Sequence, residues 1–217
     1  MKKVLFISIV GLFISTNAMQ QASEQTDTNQ FFKAAGTNNI TQIEYLLHKV
    51  DINTKGYYGR TALIIAALNG RKEAVEILVG KGSTIDAKDD NGYTALHEAV
   101  KDNNIEIATF LINAGASLNA QEFRDNFTPL MYATRANDKE IVKLLLDRGA
   151  NVDMQDKHGH SALIIAAYNG YTDIVEMLLD KSANPNLKDG KGKTALVLAD
   201  KKGHQTIVDI LSKVTIS

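Results

Sequence analysis

The sequence predicts an all-α fold in which about six helix pairs stack one on the next, and three observations support this prediction. A Thr or Ser followed by Ala-Leu or Pro-Leu recurs in steps of 33, 34, 33 and 33 residues. A Gly or Asn recurs nine residues after each of these starts. A second run of apolar residues at helical spacing follows each time. The starts are Thr61, Thr94, Thr128, Ser161 and Thr194.

The first helix of each repeat begins at the recurring Thr or Ser, whose side-chain oxygen can accept from a free backbone N–H. Pro129 stands directly after one such start, where a missing N–H costs nothing. The helix should end at the recurring Gly or Asn, because these residues tolerate a positive φ. These positions are Gly70, Asn103, Asn137, Gly170 and Gly203.

The second helix is predicted over stretches such as Glu73–Val79 and Glu140–Asp147, and it should end at a Gly such as Gly82 or Gly149. Ser182 stands at the equivalent position, so a left-handed backbone with some strain is expected there. One extra residue lies between Asn119 and Thr128, and we expect it to bulge that turn.

This pattern resembles the ankyrin repeat, which is a β-turn followed by two antiparallel helices with a T-P-L-H-x-A signature. The signature Pro occurs only at Pro129 and the signature His only at His97. The resemblance implies an ankyrin-repeat solenoid over 28–217 whose first and last repeats act as caps. We expect repeats at about 28–53, 54–86, 87–119, 120–153, 154–186 and 187–217.

The amino terminus has the features of a secretory signal: Lys2 and Lys3, an apolar run from Val4 to Ser15, and small residues up to Ala18. The run is shorter than the roughly twenty residues that a membrane-spanning helix needs. We therefore expect a cleaved signal over 1–18, a flexible lead-in over 19–27, and export to a periplasm or to the medium. No stable membrane insertion is expected after cleavage.

Composition excludes some classes of function. With 24 basic and 25 acidic residues, the chain has no bulk charge that would favour nucleic acid. It has no Cys, which excludes thiol chemistry and disulfides. Asp189–Thr194 superficially resembles a phosphate-binding loop, but Leu187 stands where that motif requires Gly. We expect no cofactor, no metal and no catalytic residue, including at His97 and Glu98.

The alternative is an enzyme or a small-ligand or metal-binding protein that uses His158 and His160, a His-x-His pair at one repeat turn. The favoured prediction is a non-catalytic, monomeric module that binds another protein. The resemblance implies that the partner contacts the concave face made by the turn tips and the first-helix ends. Residues at these positions, rich in the Tyr and Arg that anchor interfaces, are Tyr57, Tyr58, Arg60, Tyr93, Lys101, Arg124, Phe127, Arg135, His160 and Tyr168.

Overall fold

A computed structural model describes the backbone of residues 2–214 and the side chains of residues 20–214. Within this range the regular structure is entirely helical, with twelve α-helices and one 3₁₀ turn. The chain divides into an N-terminal unit that ends at Ser83 and a C-terminal unit that begins at Thr84. Both are stacks of helix pairs, as the sequence predicts.

The N-terminal unit contains four helices and the 3₁₀ turn Tyr57–Gly59. Helix α1 packs against α2 and α3, and α4 packs against both α2 and α3. Phe31, Leu46 and Leu63 are completely or almost completely buried between these helices. The four helices are α1 (Lys2–Thr37), α2 (Ile40–Leu46), α3 (Ala62–Leu68) and α4 (Lys72–Gly80).

Residues 20–27, where the sequence analysis expects a flexible lead-in, are helical and belong to α1. The segment contains no Gly or Pro, and its polar side chains bond within the helix, as from Gln20 to Glu24. Asp27 also pairs with Lys49 at 3.5 Å, which ties the segment to the residues after α2. The predicted signal falls on residues 1–18, whose side chains lie outside the described residues.

The C-terminal unit contains four helix pairs. The first helices of the pairs pack in succession, and the second helices form a parallel row beside them. The pairs are α5 (Ala95–Lys101) with α6 (Ile105–Asn113), α7 (Pro129–Arg135) with α8 (Lys139–Asp147), α9 (Ala162–Asn169) with α10 (Thr172–Asp180), and α11 (Ala195–Lys202) with α12 (Gln205–Val214).

The predicted starts and stops of the helices are confirmed. Each recurring Thr or Ser accepts a hydrogen bond from the backbone N–H three residues later. Every recurring Gly or Asn after a first helix has a positive φ, between 53° at Asn103 and 79° at Gly170. Ser182 has a φ of 62°, as expected from its place after a second helix.

His97 ties its own repeat to the next one through hydrogen bonds. Its Nδ1 accepts from the backbone N–H of Thr94 at 3.2 Å, so the ring proton lies on Nε2. Nε2 donates to the carbonyl oxygen of Phe127, in the next repeat, at 3.3 Å. Burial lowers the pKa of His97 to about 4. In three other repeats the equivalent residue is apolar and buried, namely Ile64, Met131 and Ile164, whereas Val197 is exposed.

Candidate partner-binding face

The turn tips of the C-terminal unit are organised by an acidic residue that the sequence analysis missed. Asp89, Asp156 and Asp189 are buried, and each Oδ1 accepts from the backbone N–H groups two and four residues later at 2.7–2.9 Å. These bonds hold the pKa of the Asp189 carboxyl below its usual value. An acidic residue recurs at this position every 33 or 34 residues, and this recurrence could have revealed the tip acid from the sequence.

The extra residue of the chain lies in the tip that begins at Glu122, which confirms the predicted bulge. In the neighbouring tips the first residue donates its N–H to a carbonyl four residues later, but Glu122 donates to Phe127, five residues later. Glu122 replaces the Asp of the other tips and is one methylene longer. Its carboxylate accepts from the N–H groups of Arg124, Asp125 and Phe127 at 2.6–3.1 Å. The longer acid therefore closes the longer loop.

Successive tips of the C-terminal unit are joined through their backbones. Phe123 N–H donates to the Asn91 carbonyl at 2.7 Å, and Gly190 N–H donates to the His158 carbonyl at 2.7 Å. Between these two links, Lys157 N–H donates to the Asp125 carbonyl at 3.0 Å. The side chains on the tips are thus presented from a rigid edge rather than from independent loops.

In the N-terminal unit the predicted site residues lie at one tip. Tyr57 and Tyr58 are 88% and 66% exposed, and Tyr58 adopts a φ of 60°. The Arg60 guanidinium lies 5.7 Å from the centre of the Tyr58 ring. The two exposed rings and the cation fit the expectation that this tip contacts a partner.

Phe127 is predicted to contact a partner, but its side chain is buried in the structure. Phe127 is only 8% exposed, and its ring packs against Tyr132 with the centroids 5.2 Å apart. Tyr93 is half-buried beside them and shares a hydrogen bond of 2.7 Å between its hydroxyl and that of Tyr132. Burial and this hydrogen bond raise the pKa of Tyr132. The larger loop lets the Phe127 side chain turn inward, so its ring serves packing.

Two predicted cations cover this aromatic cluster. Lys101 Nζ lies 4.1 Å from the centre of the Tyr93 ring and pairs with the buried carboxylate of Glu98 at 2.9 Å. The Arg135 guanidinium lies 4.8 Å from the Phe127 ring and 4.9 Å from the Tyr132 ring. Both side chains remain exposed, so they are held in place while still open to a partner.

Arg135 also lines a groove of about 510 Å³ in the C-terminal unit, together with two further predicted residues, His160 and Tyr168. Tyr168 is 43% exposed, and Lys202 Nζ lies 4.2 Å from its ring centre. The Lys202 ammonium holds the pKa of Tyr168 below its usual value. The predicted Arg124 is exposed on the long tip and is not among the groove-lining residues.

Phe123 is an exposed aromatic residue that the sequence analysis did not select. Its ring is 62% exposed, and Lys88 Nζ lies 4.9 Å from the ring centre. The ring rests over Gly92, where an added Cβ would come within 2.8 Å of it. The position directly after the tip acid was the clue, because Tyr57 occupies the matching position in the N-terminal unit.

At the turn that carries the alternative site, the ring centroids of His158 and His160 lie 5.9 Å apart. His160 Nδ1 contacts Asp156 Oδ2 at 3.0 Å, but the same carboxylate is already used to cap the tip. Among residues 20–214, no group of three or more His, Asp or Glu side chains is arranged to hold a metal ion. Asp189–Thr194 forms an ordinary repeat tip that ends in the helix cap Thr194.

Comparison with known proteins agrees with this architecture. The family model described as ankyrin repeats (3 copies) matches residues 8–89, 31–122, 83–156 and 130–216. The chain belongs to the ankyrin-repeat family. This ankyrin-repeat chain is 40% identical over 72 residues to protein phosphatase 1 regulatory subunit 27 of Mus musculus, which is 33% of this chain and 47% of that protein. It is 39% identical over 75 residues to the B-cell lymphoma 3 protein homolog of Mus musculus, covering 34% of this chain and 17% of that protein.

The ankyrin-repeat chain thus spans less than half the length of these curated relatives. A solved structure is similar over a larger share of the chain. It is a complex of a predatory endopeptidase from Bdellovibrio bacteriovorus with an immunity protein. The match has a TM-score of 0.75 and 29% identity, and it covers 85% of this chain and 97% of the matched chain. Within the described residues, no helix is both long enough and apolar enough to cross a membrane.

Proposed function

We propose that this ankyrin-repeat protein is exported and binds another protein through its turn-tip face, without catalysing a reaction. The turn-tip face comprises the turn tips and the first-helix ends of the repeats. The export half of the proposal rests on the signal-like features of residues 1–18.

One observation carries the binding half: within each unit, exposed aromatic residues lie at turn tips or first-helix ends. Among the side chains of residues 20–214, five exposed large apolar residues are aromatic, and of these Tyr45 alone lies elsewhere. The other four are Tyr57, Tyr58, Phe123 and Tyr168. Exposed rings beside cations contribute nothing to a helix core, whereas Tyr and Arg are the residues that most often dominate binding energy at interfaces.

The rigidity of the tips also supports binding. Backbone bonds between neighbouring tips, together with the acid at the start of each tip in the C-terminal unit, hold these loops in one conformation before any partner arrives. A pre-organised surface loses little conformational entropy on binding, so more of the contact energy appears as affinity.

The experiment is a capture assay with the full-length chain, tagged at its carboxyl terminus and expressed in the source cell. The variants Phe123→Ala and Tyr168→Ala should each retain less partner than the native chain. Tyr45→Ala is the matched control, since Tyr45 is also an exposed tyrosine, 56% exposed, but lies on α2. Equal capture by all three variants would place the partner on another surface.

A second candidate is that the partner is an enzyme that this protein restrains. It is favoured by the similar solved structure, in which an endopeptidase and an immunity protein form a complex. If a captured partner is a peptidase, its rate of peptide hydrolysis should fall as the purified chain is added. An unchanged rate of hydrolysis at a saturating concentration of the chain would mean that the protein binds the peptidase without inhibiting it.

A further inference from the structure

Cations predominate among the charged residues that line the groove in the C-terminal unit. Four cationic side chains line it: Arg135 from the end of α7, Lys191 and Lys193 from the last tip, and Lys201 from α11. Asp189 is the one acid among the lining residues, and its Oδ1 is already bonded to two backbone N–H groups. The whole chain has a formal net charge of −1, so this positive charge is local.

The lysines of the groove differ from several other lysines of the described residues in their ion pairs. Lys143 and Lys181 both pair with Asp147, and Lys157 pairs with Asp125. Among the described residues, no carboxylate forms an ion pair with the groove lysines, which are Lys191, Lys193 and Lys201. A carboxylate that entered the groove would therefore gain contacts without displacing an existing ion pair.

The floor of the groove is apolar. The buried side chains of Ile164, Ile165 and Leu198 line it and define this floor, and the exposed ring of Tyr168 also lines the groove. A floor of this kind favours an apolar side chain between the carboxylates of a ligand. A nucleic-acid backbone would neutralise the cations but leave this floor unused.

Two cations at the groove are positioned by aromatic rings. Arg135, which lines the groove, lies over Phe127 and Tyr132. Lys202, whose neighbour Lys201 lines the groove, lies over the Tyr168 ring at 4.2 Å. Side chains that are already held lose less rotamer freedom when a ligand binds.

We propose that the groove lined by Arg135, Lys191, Lys193 and Lys201 binds an extended acidic segment of a partner protein, with an apolar side chain of that segment on the floor made by Ile165 and Leu198. This inference deepens the proposed function and rests on it, since it names the chemistry of the partner at the turn-tip face.

The test uses the full-length chain and three fluorescein-labelled peptides, with binding followed by fluorescence anisotropy. The acidic probe is Gly-Asp-Glu-Leu-Asp-Glu-Phe-Asp-Glu-Gly. The amide probe replaces its Asp and Glu by Asn and Gln, and the polar probe replaces its Leu and Phe by Ser. We expect the acidic probe to bind about tenfold more tightly than the amide probe, because exposed ion pairs each contribute a modest amount and several form together. The polar probe should bind more weakly than the acidic probe, because it leaves the floor uncovered.

Two sets of variants locate the site. Combined Lys191→Glu, Lys193→Glu and Lys201→Glu should weaken the acidic probe by about tenfold or more, and the same three changes to Gln should weaken it less. The control set is Lys33→Glu, Lys81→Glu and Lys213→Glu, which changes net charge equally at exposed lysines outside the groove. It should alter affinity by no more than about threefold, the effect expected from screened, distant charge. Circular dichroism confirms that each variant is folded.

The inference is overturned if the acidic and amide probes bind equally, or if the groove and control sets weaken binding to the same extent. It is also overturned if a single-stranded oligonucleotide of equal charge binds as tightly as the acidic probe. The capture assay is independent of these readouts. If capture depends on Phe123 and Tyr168 while the probes show no preference, only the assigned partner chemistry is wrong. If capture does not depend on that face, the proposed function fails and this inference with it.

Discussion

The neutral, buried ring of His97 should make the protein less stable as the pH falls from 7 to 5. His97 is completely buried, and its pKa is about 4 in the folded protein against an ordinary value of 6.5. Between these two values the unfolded chain binds a proton that the folded chain does not, so acid favours unfolding. The contribution of the neutral His97 ring to the free energy of unfolding is therefore fully present above pH 6.5 and is lost as the pH falls toward 4.

The size of the effect follows from the shift. Protonation of this one group should lower the free energy of unfolding by about 2 kcal/mol between pH 7 and pH 5. The pKa of His97 is lowered chiefly because burial desolvates the imidazolium, and the nearby positive charge of Lys88 lowers it further. The hydrogen bond to Phe127 and the negative charge of Glu122 oppose this shift. Urea unfolding at both pH values, followed by circular dichroism, measures the loss.

His97→Gln is the matched variant. Gln at this position can accept from the Thr94 N–H, as in a capping box, but it does not titrate. The other histidines are common to both proteins, so the difference in pH dependence isolates His97. An NMR titration of the native ring, which should stay neutral at pH 5, is a second measurement. If the native protein and the variant lose equal stability between pH 7 and pH 5, or if the native ring titrates near 6.5, His97 is not a buried neutral residue that joins two repeats.

Four other outcomes are expected. Phe127→Ala should lower the free energy of unfolding by about 3 kcal/mol, whereas Tyr168→Ala should change it by less than about 0.5 kcal/mol, and urea unfolding of both tests the contrast between packing and exposed rings. Leu145→Ala should cost about 2–5 kcal/mol through a cavity in α8, because Leu145 is completely buried; thermal melts check this. Glu122→Ala should cost about 1–3 kcal/mol by leaving three backbone N–H groups without their acceptor, and Glu122→Gln should cost less. Intact-mass measurement of protein from the source cell should give a chain that starts near Met19, and retention of residues 1–18 on a soluble product would contradict export.

Local features of the repeat could be predicted because each one is a requirement of the backbone itself. A helix start needs an acceptor such as Thr94, and a helix stop needs a residue that tolerates positive φ, such as Gly70 or Asn103. These requirements recur with the repeat, so the sequence alone determined the helix order and the position of the extra residue. The sequence also indicated the apolar face of each second helix. Of the two adjacent leucines Leu144 and Leu145, however, Leu145 is the one that is completely buried.

The burial of individual tip side chains was decided only by the tertiary structure. Phe127 and Tyr93 occupy matching positions before a helix cap, but Tyr93 is half-buried whereas Phe127 is buried against the ring of Tyr132 in the longer loop. Phe123, in the same loop as Phe127, stays exposed. The sequence could not indicate this, because one inserted residue leaves several ways to align a loop, and packing against the next repeat selects one of them.

The groove shows the same division. Sequence position alone determined that Arg135, His160 and Tyr168 lie at tips or first-helix ends. Arg135 comes from one repeat, and His160 and Tyr168 come from the next. Only the stacking of helices α7, α9 and α11 brings them together with Lys191 and Lys201 of the last repeat. The cations and the apolar floor form a single surface there because side chains that are far apart in the sequence come together across the stack. No local sequence pattern indicates which of them will meet.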